Sequence, residues 1–251
     1  MGNRQIIQRI PLFVAVFALG SPSSLQAGGV FSFLDGTLAA QATFAQNGTT
    51  LTVTLENTSV FDILSPSDVL TGVFFDLANV DDGSLTPTRA LLGEGSSVWF
   101  PRRPKTDGTD SQGEIGGEYG FRDDLQDLLS ETSMVISVVG LGDLIGRPHV
   151  FPGDNLVGPP SGSPGGIDYG LVSALDDPLT GNRSVTGRSP LVSNSVLFEL
   201  AGLPGDFVLD GNISSVRFNY GSNFSPVPEP STLVLMVLGG AATFMRRRKP
   251  A

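Results

Sequence analysis

The sequence predicts an all-β fold, an antiparallel β-sandwich of jelly-roll type with one short helix and long glycine- and proline-rich loops. About eight to ten short strand-like segments are separated by turn signals, and no alternating βαβ pattern occurs. Gly 32 and Pro 18 in 251 residues indicate a chain rich in turns. No repeat of fixed period is present, which disfavours a propeller or a solenoid.

Residues 1–27 have the pattern of a secretory signal peptide. Two arginines precede an apolar segment at 10–20, and the small Ala27 is suited to cleavage before Gly28. The apolar segment is shorter than the roughly 20 residues that span a bilayer, so cleavage is favoured over a permanent anchor. We therefore expect export through the Sec machinery and a mature chain that begins at Gly28.

The chain ends in a three-part tail, residues 226–251. An apolar segment at 231–245 is predicted to form a transmembrane helix, which would rise about 22 Å and fall short of the ~30 Å hydrocarbon core. A span this short favours transient insertion, with the basic end held on the cytoplasmic side. The flanking groups are a motif of four residues and a basic cluster: Val227, Pro228, Glu229 and Pro230, and Arg246, Arg247, Arg248 and Lys249.

This tail resembles the PEP-CTERM sorting signal of Gram-negative bacteria. The resemblance implies processing by an exosortase, a transpeptidase-like membrane enzyme, near Pro228-Glu229-Pro230. It also implies an inner-membrane intermediate, followed by delivery to the cell surface or to extracellular polysaccharide. An ordinary one-helix anchor is the alternative.

Residues 28–225 are predicted to form one extracytoplasmic domain. Asn47-Gly48 predicts a tight hairpin, because both positions tolerate positive φ. Leu51, Val53 and Leu55 alternate with threonines, the pattern of a half-buried strand. Further strands are predicted in "DVLTGVFFDLAN", "SSVWF", "SMVISVV", "YGLVSAL", "PLVSNSVLFELAGL" and "ISSVRFNYG".

Other segments of this domain are predicted to be loops or helix. Leucines at helical spacing after Phe121 predict a helix over 121–132. Residues 101–118 are expected to form a polar surface loop, and 151–168 a long loop without core positions. "LTVTLENTS", "DYGLVS" and "VRFNYGS" make the domain similar to a group of exosortase-dependent surface proteins without an assigned activity, so this resemblance brings no catalytic residues.

Composition excludes several kinds of chemistry. The net charge is −10, and six of the 15 basic residues lie in the two signals, which leaves 9 − 25 = −16 for the domain between them. Such a charge argues against nucleic acid as a partner. The absence of cysteine excludes disulfides and thiolate metal sites, and the lone His149 cannot form a histidine-rich metal site. No cofactor or metal is predicted.

Candidate chemical groups are acidic or aromatic. The pairs Asp81-Asp82, Asp123-Asp124 and Asp176-Asp177 adjoin turn residues, so turn formation is favoured over acid–base catalysis. The segment 107–114 could supply oxygen ligands to calcium, although a solvated acidic loop is favoured. The remaining candidates could stack on sugars if exposed, but core positions are favoured: Trp99, Tyr119 and Tyr169.

These observations predict a non-enzymatic, exported, exosortase-processed protein with a structural or interaction role in the envelope or in exopolysaccharide, such as a biofilm matrix. A carbohydrate-binding β-sandwich is the first alternative, and a glycan-acting enzyme is the second. The negative charge and the missing cysteines also predict a soluble monomeric domain.

Overall fold

The computed structural model describes residues 26–99, 113–125, 132–140, 151, 153–159, 164–186, 189–222 and 227–228. These ranges contain two short 3-10 helices, Pro66–Asp68 and Gly116–Glu118, and no longer helix. The strands are β1 Gln26–Asp35, β2 Leu38–Asn47, β3 Thr50–Asn57, β4 Leu70–Leu77, β5 Thr86–Leu92, β6 Ser97–Trp99, β7 Gly120–Arg122, β8 Met134–Ser137, β9 Asp154–Asn155, β10 Leu171–Val172, β11 Leu191–Ser193, β12 Ser195–Ala201, β13 Ile213–Tyr220 and β14 Val227–Pro228. The all-β prediction is confirmed.

The strands form two sheets. The five-stranded sheet has the order β1-β2-β3-β12-β5, and every pair in it is antiparallel. The nine-stranded sheet follows β6-β11-β10-β4-β8-β7-β9, and β13 pairs with β4 and β14 in addition. β10 and β11 are parallel, unlike the antiparallel arrangement predicted, because the intervening segment 173–190 is long enough to return the chain to the same end of the sheet.

One apolar core joins the two sheets. Phe44 of the five-stranded sheet meets Phe75 of the other sheet with ring centroids 5.1 Å apart, in an edge-to-face arrangement. Phe33 and Phe218 also meet across the sheets, with ring centroids 6.0 Å apart and the rings tilted by 35°. The nine-stranded sheet also buries Phe74 and Val135 on its other face, in a second cluster with Leu125 and Phe151, whereas the threonines on the outer side of β3 stay partly exposed.

The β2–β3 hairpin is confirmed, with a shift of one position. Asn47 is the last residue of β2 and pairs with Thr50, so Gly48 and Thr49 form the two-residue loop. Of these residues only Gly48 has positive φ, +59°. Glycine at the first loop position is what a tight hairpin turn of the II′ class requires.

The predicted strand patterns hold for β3, β4, β8 and β13. The alternating leucine and valine side chains of β3 are fully buried, whereas its threonines are half-buried. β4 is buried along almost its whole length, because Val73 and Phe75 pack in the core between the sheets while Phe74 packs in a second apolar cluster on the opposite face. The segment "PLVSNSVLFELAGL" forms two strands, since Asn194 adopts positive φ (+81°) and passes the chain from one sheet to the other.

Three sequence predictions are wrong. The segment 151–168 does contribute to the core, because Phe151, Leu156 and Ile167 are buried. The predicted surface loop 101–118 ends in the core, where Ile115 is fully buried. The helix predicted over 121–132 does not begin at Phe121, because β7 pairs that residue with β8 and β9; residues 126–131 lie outside the described residues.

In the described ranges, no helix is long and apolar enough to cross a membrane. The transmembrane helix predicted at 231–245 lies outside those ranges.

Candidate functional site

β14 places the beginning of the sorting motif at the edge of the nine-stranded sheet. Val227 lies opposite Phe218 and Pro228 lies opposite Arg217, in antiparallel register. The opposite side of β13 pairs with β4, which leaves β14 as the outer strand. Pro228 has no N–H to offer to a further strand, so proline is tolerated at this edge position.

An irregularity in β13 lies next to the β14 pairing. The register between β13 and β4 shifts between Ser214 and Arg217, and Ser215 adopts a left-handed φ of +53°. A bulge of this kind bends a strand and disrupts its ladder. The regular pairing surface for β14 therefore extends no further than Arg217 along β13.

A buried polar cluster fixes the point where the chain leaves β13 toward the motif. The Thr71 hydroxyl lies 3.1 Å from the Asn219 carbonyl oxygen and 2.9 Å from that of Gly221. Asn219 Nδ2 donates to the same hydroxyl at 2.9 Å, and the Gly221 N–H donates to the Val69 carbonyl at 2.9 Å. Buried polar groups that satisfy one another in this way hold a single geometry. Nothing in the sequence pattern indicated this cluster.

The predicted signal-cleavage position lies inside β1. Ala27 pairs with Ala45 of β2, and the register shifts between Ala27 and Gly29. A side chain at Gly28 would overlap that of Leu209, so only glycine fits at this bulge. Cleavage between Ala27 and Gly28 itself stays a prediction.

In two of the predicted aspartate pairs, one carboxylate accepts a hydrogen bond from a backbone N–H group of a loop. Asp123 is buried and accepts the Leu85 N–H at 3.1 Å, and burial raises the pKa of its carboxyl. Asp176 accepts the Ile63 N–H at 2.6 Å, and burial likewise raises its pKa. Asp124 forms an ion pair with Arg122. Hydrogen bonding to loop backbone accounts for the buried Asp123 and the half-buried Asp176 without a catalytic role.

A cleft of about 350 Å³ lies beside one of these pairs. Pro87 and Phe121 supply apolar lining, while Arg122, Asp123 and Asp154 supply charged lining. Guanidinium and carboxylate groups beside apolar surface suit hydroxyl-rich ligands, because each charged group can bond a hydroxyl. Among the described residues, no group of three or more His, Cys, Asp or Glu is placed to hold a metal ion.

Sequence reasoning missed Glu118, which lies in "GGEYG". The pKa of Glu118 is raised to about 7, mainly by burial and to a smaller extent by the negative charge of Asp168. The adjacent Tyr119 is fully buried and donates its hydroxyl to the Tyr169 carbonyl at 2.6 Å. Tyr169 has a left-handed φ of +61°. The sequence offered one indication that Glu118 is shielded from solvent: it directly precedes Tyr119, an aromatic residue suited to the core.

The aromatic candidates do not form a sugar-stacking surface. Tyr119 and Tyr169 are buried, as the core interpretation predicted, and the Tyr119 ring packs edge-to-face on Phe198 at 4.8 Å. Trp99 is half-buried and packs against a small apolar cluster that includes Leu191. The Tyr119 and Tyr169 rings are therefore not available for stacking on a ligand without rearrangement, and the Trp99 ring is only partly covered.

Several predicted positions lie outside the described residues. They are His149, the segment 107–112, Glu229, Pro230, Arg246, Arg247, Arg248 and Lys249. Of the predicted motif, Val227 and Pro228 are thus placed, and their backbone alone is described.

Residues 226–249 match the family model of the PEP-CTERM protein-sorting motif. The chain therefore carries a PEP-CTERM sorting signal, and the motif indicates an exported target of an exosortase. No curated protein and no solved structure matches the chain.

Proposed function

We propose that this protein is a non-enzymatic component of the outer cell surface or of extracellular polysaccharide, delivered there by exosortase processing. The single observation that carries the proposal is the PEP-CTERM motif at residues 226–249. The order of motif, apolar segment and basic end is that of a sorting signal read at a membrane, and not that of a catalytic site.

The geometry around the motif supports processing of a folded domain. β14 contributes only Val227 and Pro228 to the sheet, so few contacts would be lost when an enzyme binds this segment in extended form. The chain leaves the sheet at Gly221, which is fixed to β4 through Val69 and Thr71. Opening of β14 would therefore leave the rest of the domain intact, since the anchor lies before the motif.

The expected partners follow from this route. The Sec machinery would export the chain, the inner membrane would hold it transiently, and exosortase would release it. We propose a jelly-roll-like β-sandwich as the scaffold, because the two sheets share one core and the five-stranded sheet leaves a polar outer face, with Thr52 and Thr54, for a polymer matrix. The acidic domain would stay soluble in that matrix through charge repulsion.

Replacing Glu229 and Pro230 by alanine in the full-length chain tests the route. We expect the doubly substituted chain to accumulate uncleaved in the inner membrane, while the unmodified chain reaches the surface fraction. Ser222→Ala, at an exposed position before β14, is the matched control and should be released normally. Normal release of the double variant would refute processing at this motif.

A second candidate function is carbohydrate binding, which the cleft beside Asp123 favours. Arg122 and Asp154 could bond sugar hydroxyls there, against the apolar surface of Pro87. A glycan array with the exported protein tests it, with Asp154→Ala as the cleft variant and Asp210→Ala, at an exposed turn position that does not line the cleft, as the control. Binding that survives Asp154→Ala would place the ligand elsewhere, and absence of any binding would leave the structural role alone.

A further inference from the structure

The two edge strands of the five-stranded sheet differ in whether other parts of the chain pair with their outer side. β5 forms one edge, and other parts of the chain cover it. The Ile115 N–H donates to the Ala90 carbonyl at 2.9 Å, and the Leu92 N–H donates to the Gly113 carbonyl at 3.0 Å. Val157 forms a further bridge with Arg89 on the same strand. The outer backbone groups of β5 are therefore largely used within the molecule.

β1 forms the other edge, and nothing in the described part of the chain pairs with its outer side. It is ten residues long, whereas the edge strands β6, β9 and β14 of the other sheet have two or three residues. Natural proteins protect long edges with lysine, proline or a central bulge, because exposed N–H and C=O groups recruit another strand. From Val30 to Leu34 the edge has none of these devices, and the bulge lies at its start, before Gly29.

The outward side chains of β1 make this edge self-complementary. Val30 and Leu34 are 60% and 68% exposed on the outer face, and the exposed Ser32 lies midway between them. In an antiparallel pair centred on Ser32, Val30 of one copy lies opposite Leu34 of the other, and the reverse holds by symmetry. Registers centred on neighbouring residues place these apolar side chains opposite glycine or serine instead.

Charge is compatible with this register. Asp35 is the charged residue of β1, and the pairing places it opposite Gly29 of the second copy, away from the other Asp35. The paired positions, 29–35, all follow the predicted cleavage after Ala27, so the mature chain keeps them. The negative charge of the whole domain opposes association, and added salt should therefore favour it.

We propose that β1 is a homodimerisation edge, where two copies pair antiparallel about Ser32 and join their five-stranded sheets into one ten-stranded sheet. The occupant of the edge is a second copy of this chain, because the exposed residues complement themselves. This replaces the monomer predicted from composition. It goes beyond delivery to the surface and does not depend on how the tail is processed.

Single cysteines test the contact, because the chain has none of its own. Ser32→Cys in the full-length exported chain should give a disulfide-linked dimer on a non-reducing gel, since the two-fold axis brings this residue next to its own copy. Thr86→Cys, exposed on the covered edge β5, is the matched control and should stay monomeric. Equal cross-linking of the two variants would overturn the proposal.

The register is tested by mixing two differently tagged chains. Val30→Cys and Leu34→Cys should cross-link to each other when produced together, and much less when either is produced alone. Both positions are exposed, so the variants keep the core intact. Cross-linking that is equally strong in every combination would indicate random collision and would contradict the register.

Charged residues at positions 30 and 34 provide an independent test of the proposed β1 interface. Combined with Ser32→Cys, Val30→Lys with Leu34→Lys should abolish the dimer, because lysines then face each other across the interface. Val30→Lys with Leu34→Glu should restore it, since opposite charges face each other in the same register. An unchanged dimer in the double-lysine chain would show that this edge is not the interface.

Discussion

β1 and β14 are edge strands of different sheets, and each contains a predicted processing position, but they are paired to very different extents. β1 pairs with β2 along its whole length, from Gln26 to Asp35, and buries Phe33 between the sheets. β14 contributes one N–H, from Val227, and ends at a proline. The N-terminal position therefore lies within a long ladder, whereas the C-terminal position lies at a short one.

The difference bears on the order of events. Signal cleavage at Ala27 would have to precede the pairing of β1, because a protease needs an extended, accessible substrate and the ladder occupies that backbone. The sorting motif can be released from a finished domain, because opening β14 leaves β13 paired with β4. We thus expect N-terminal processing before folding and C-terminal processing after it.

The largest expected effect is the loss of the β1 aromatic contact. Phe33→Ala should lower the free energy of unfolding by about 3 kcal/mol, because the ring packs on Phe218 and Tyr220 and leaves a cavity. Urea unfolding of the exported protein measures the change. Leu175→Ala, at a 70% exposed position, is the control and should stay within about 0.5 kcal/mol. Equal losses would mean that β1 does not contribute to the core in this way.

Gly28→Ala should cost about 2 kcal/mol, because the added methyl group overlaps the Leu209 side chain. Alanine is as small as signal cleavage requires, so export should continue and only stability should fall. Gly205→Ala, where a methyl group meets nothing, is the control and should leave the urea midpoint unchanged. A wild-type midpoint for Gly28→Ala would show that β1 does not approach Leu209 closely.

The pH dependence of stability tests Glu118, a residue that belongs to neither edge strand. Because the pKa of Glu118 is raised from 4.5 to about 7, its contribution to stability is complete below pH 4.5 and is lost as pH rises through 7. At pH 8, Glu118→Gln should be more stable than wild type by about 1 kcal/mol, a figure reduced for partial solvent exposure. Asp168→Asn should reproduce a smaller part of this gain. Parallel pH profiles for wild type and Glu118→Gln would contradict the assignment.

The smallest effect is expected at β14. Val227→Pro removes the one N–H of that strand, and should lower the stability of the uncleaved precursor by about 0.5 kcal/mol. Unfolding of precursor isolated from a strain without exosortase measures it. A loss comparable to that of Phe33→Ala would mean that the tail is held by the domain as firmly as β1.

Local patterns in the sequence were enough to predict regular strands, and long-range contacts decided the rest. The alternation of Leu51, Val53 and Leu55 predicted β3, and the Asn47-Gly48 pair identified the β2–β3 hairpin. Burial of Ile115 and Phe151 was not predictable, because each lies in a short segment next to glycine or proline, and its core partners lie far along the chain.

The same limit applies to the site. The motif could be recognised from its residues alone, since the order of its parts carries the signal. Its pairing with Arg217 and Phe218, and the Thr71 cluster that fixes the chain before it, depend on which strand lies beside β13. The raised pKa of Glu118 likewise results from burial, which no local pattern indicates.

Mass measurement of the exported protein tests the central claim most directly. We predict a wild-type product that begins at Gly28 and lacks the apolar segment 231–245. A strain without exosortase should retain a chain with its complete tail in the inner membrane. A surface product that still contains "STLVLMVLGG" in both strains would contradict the sorting mechanism and indicate a simple membrane anchor.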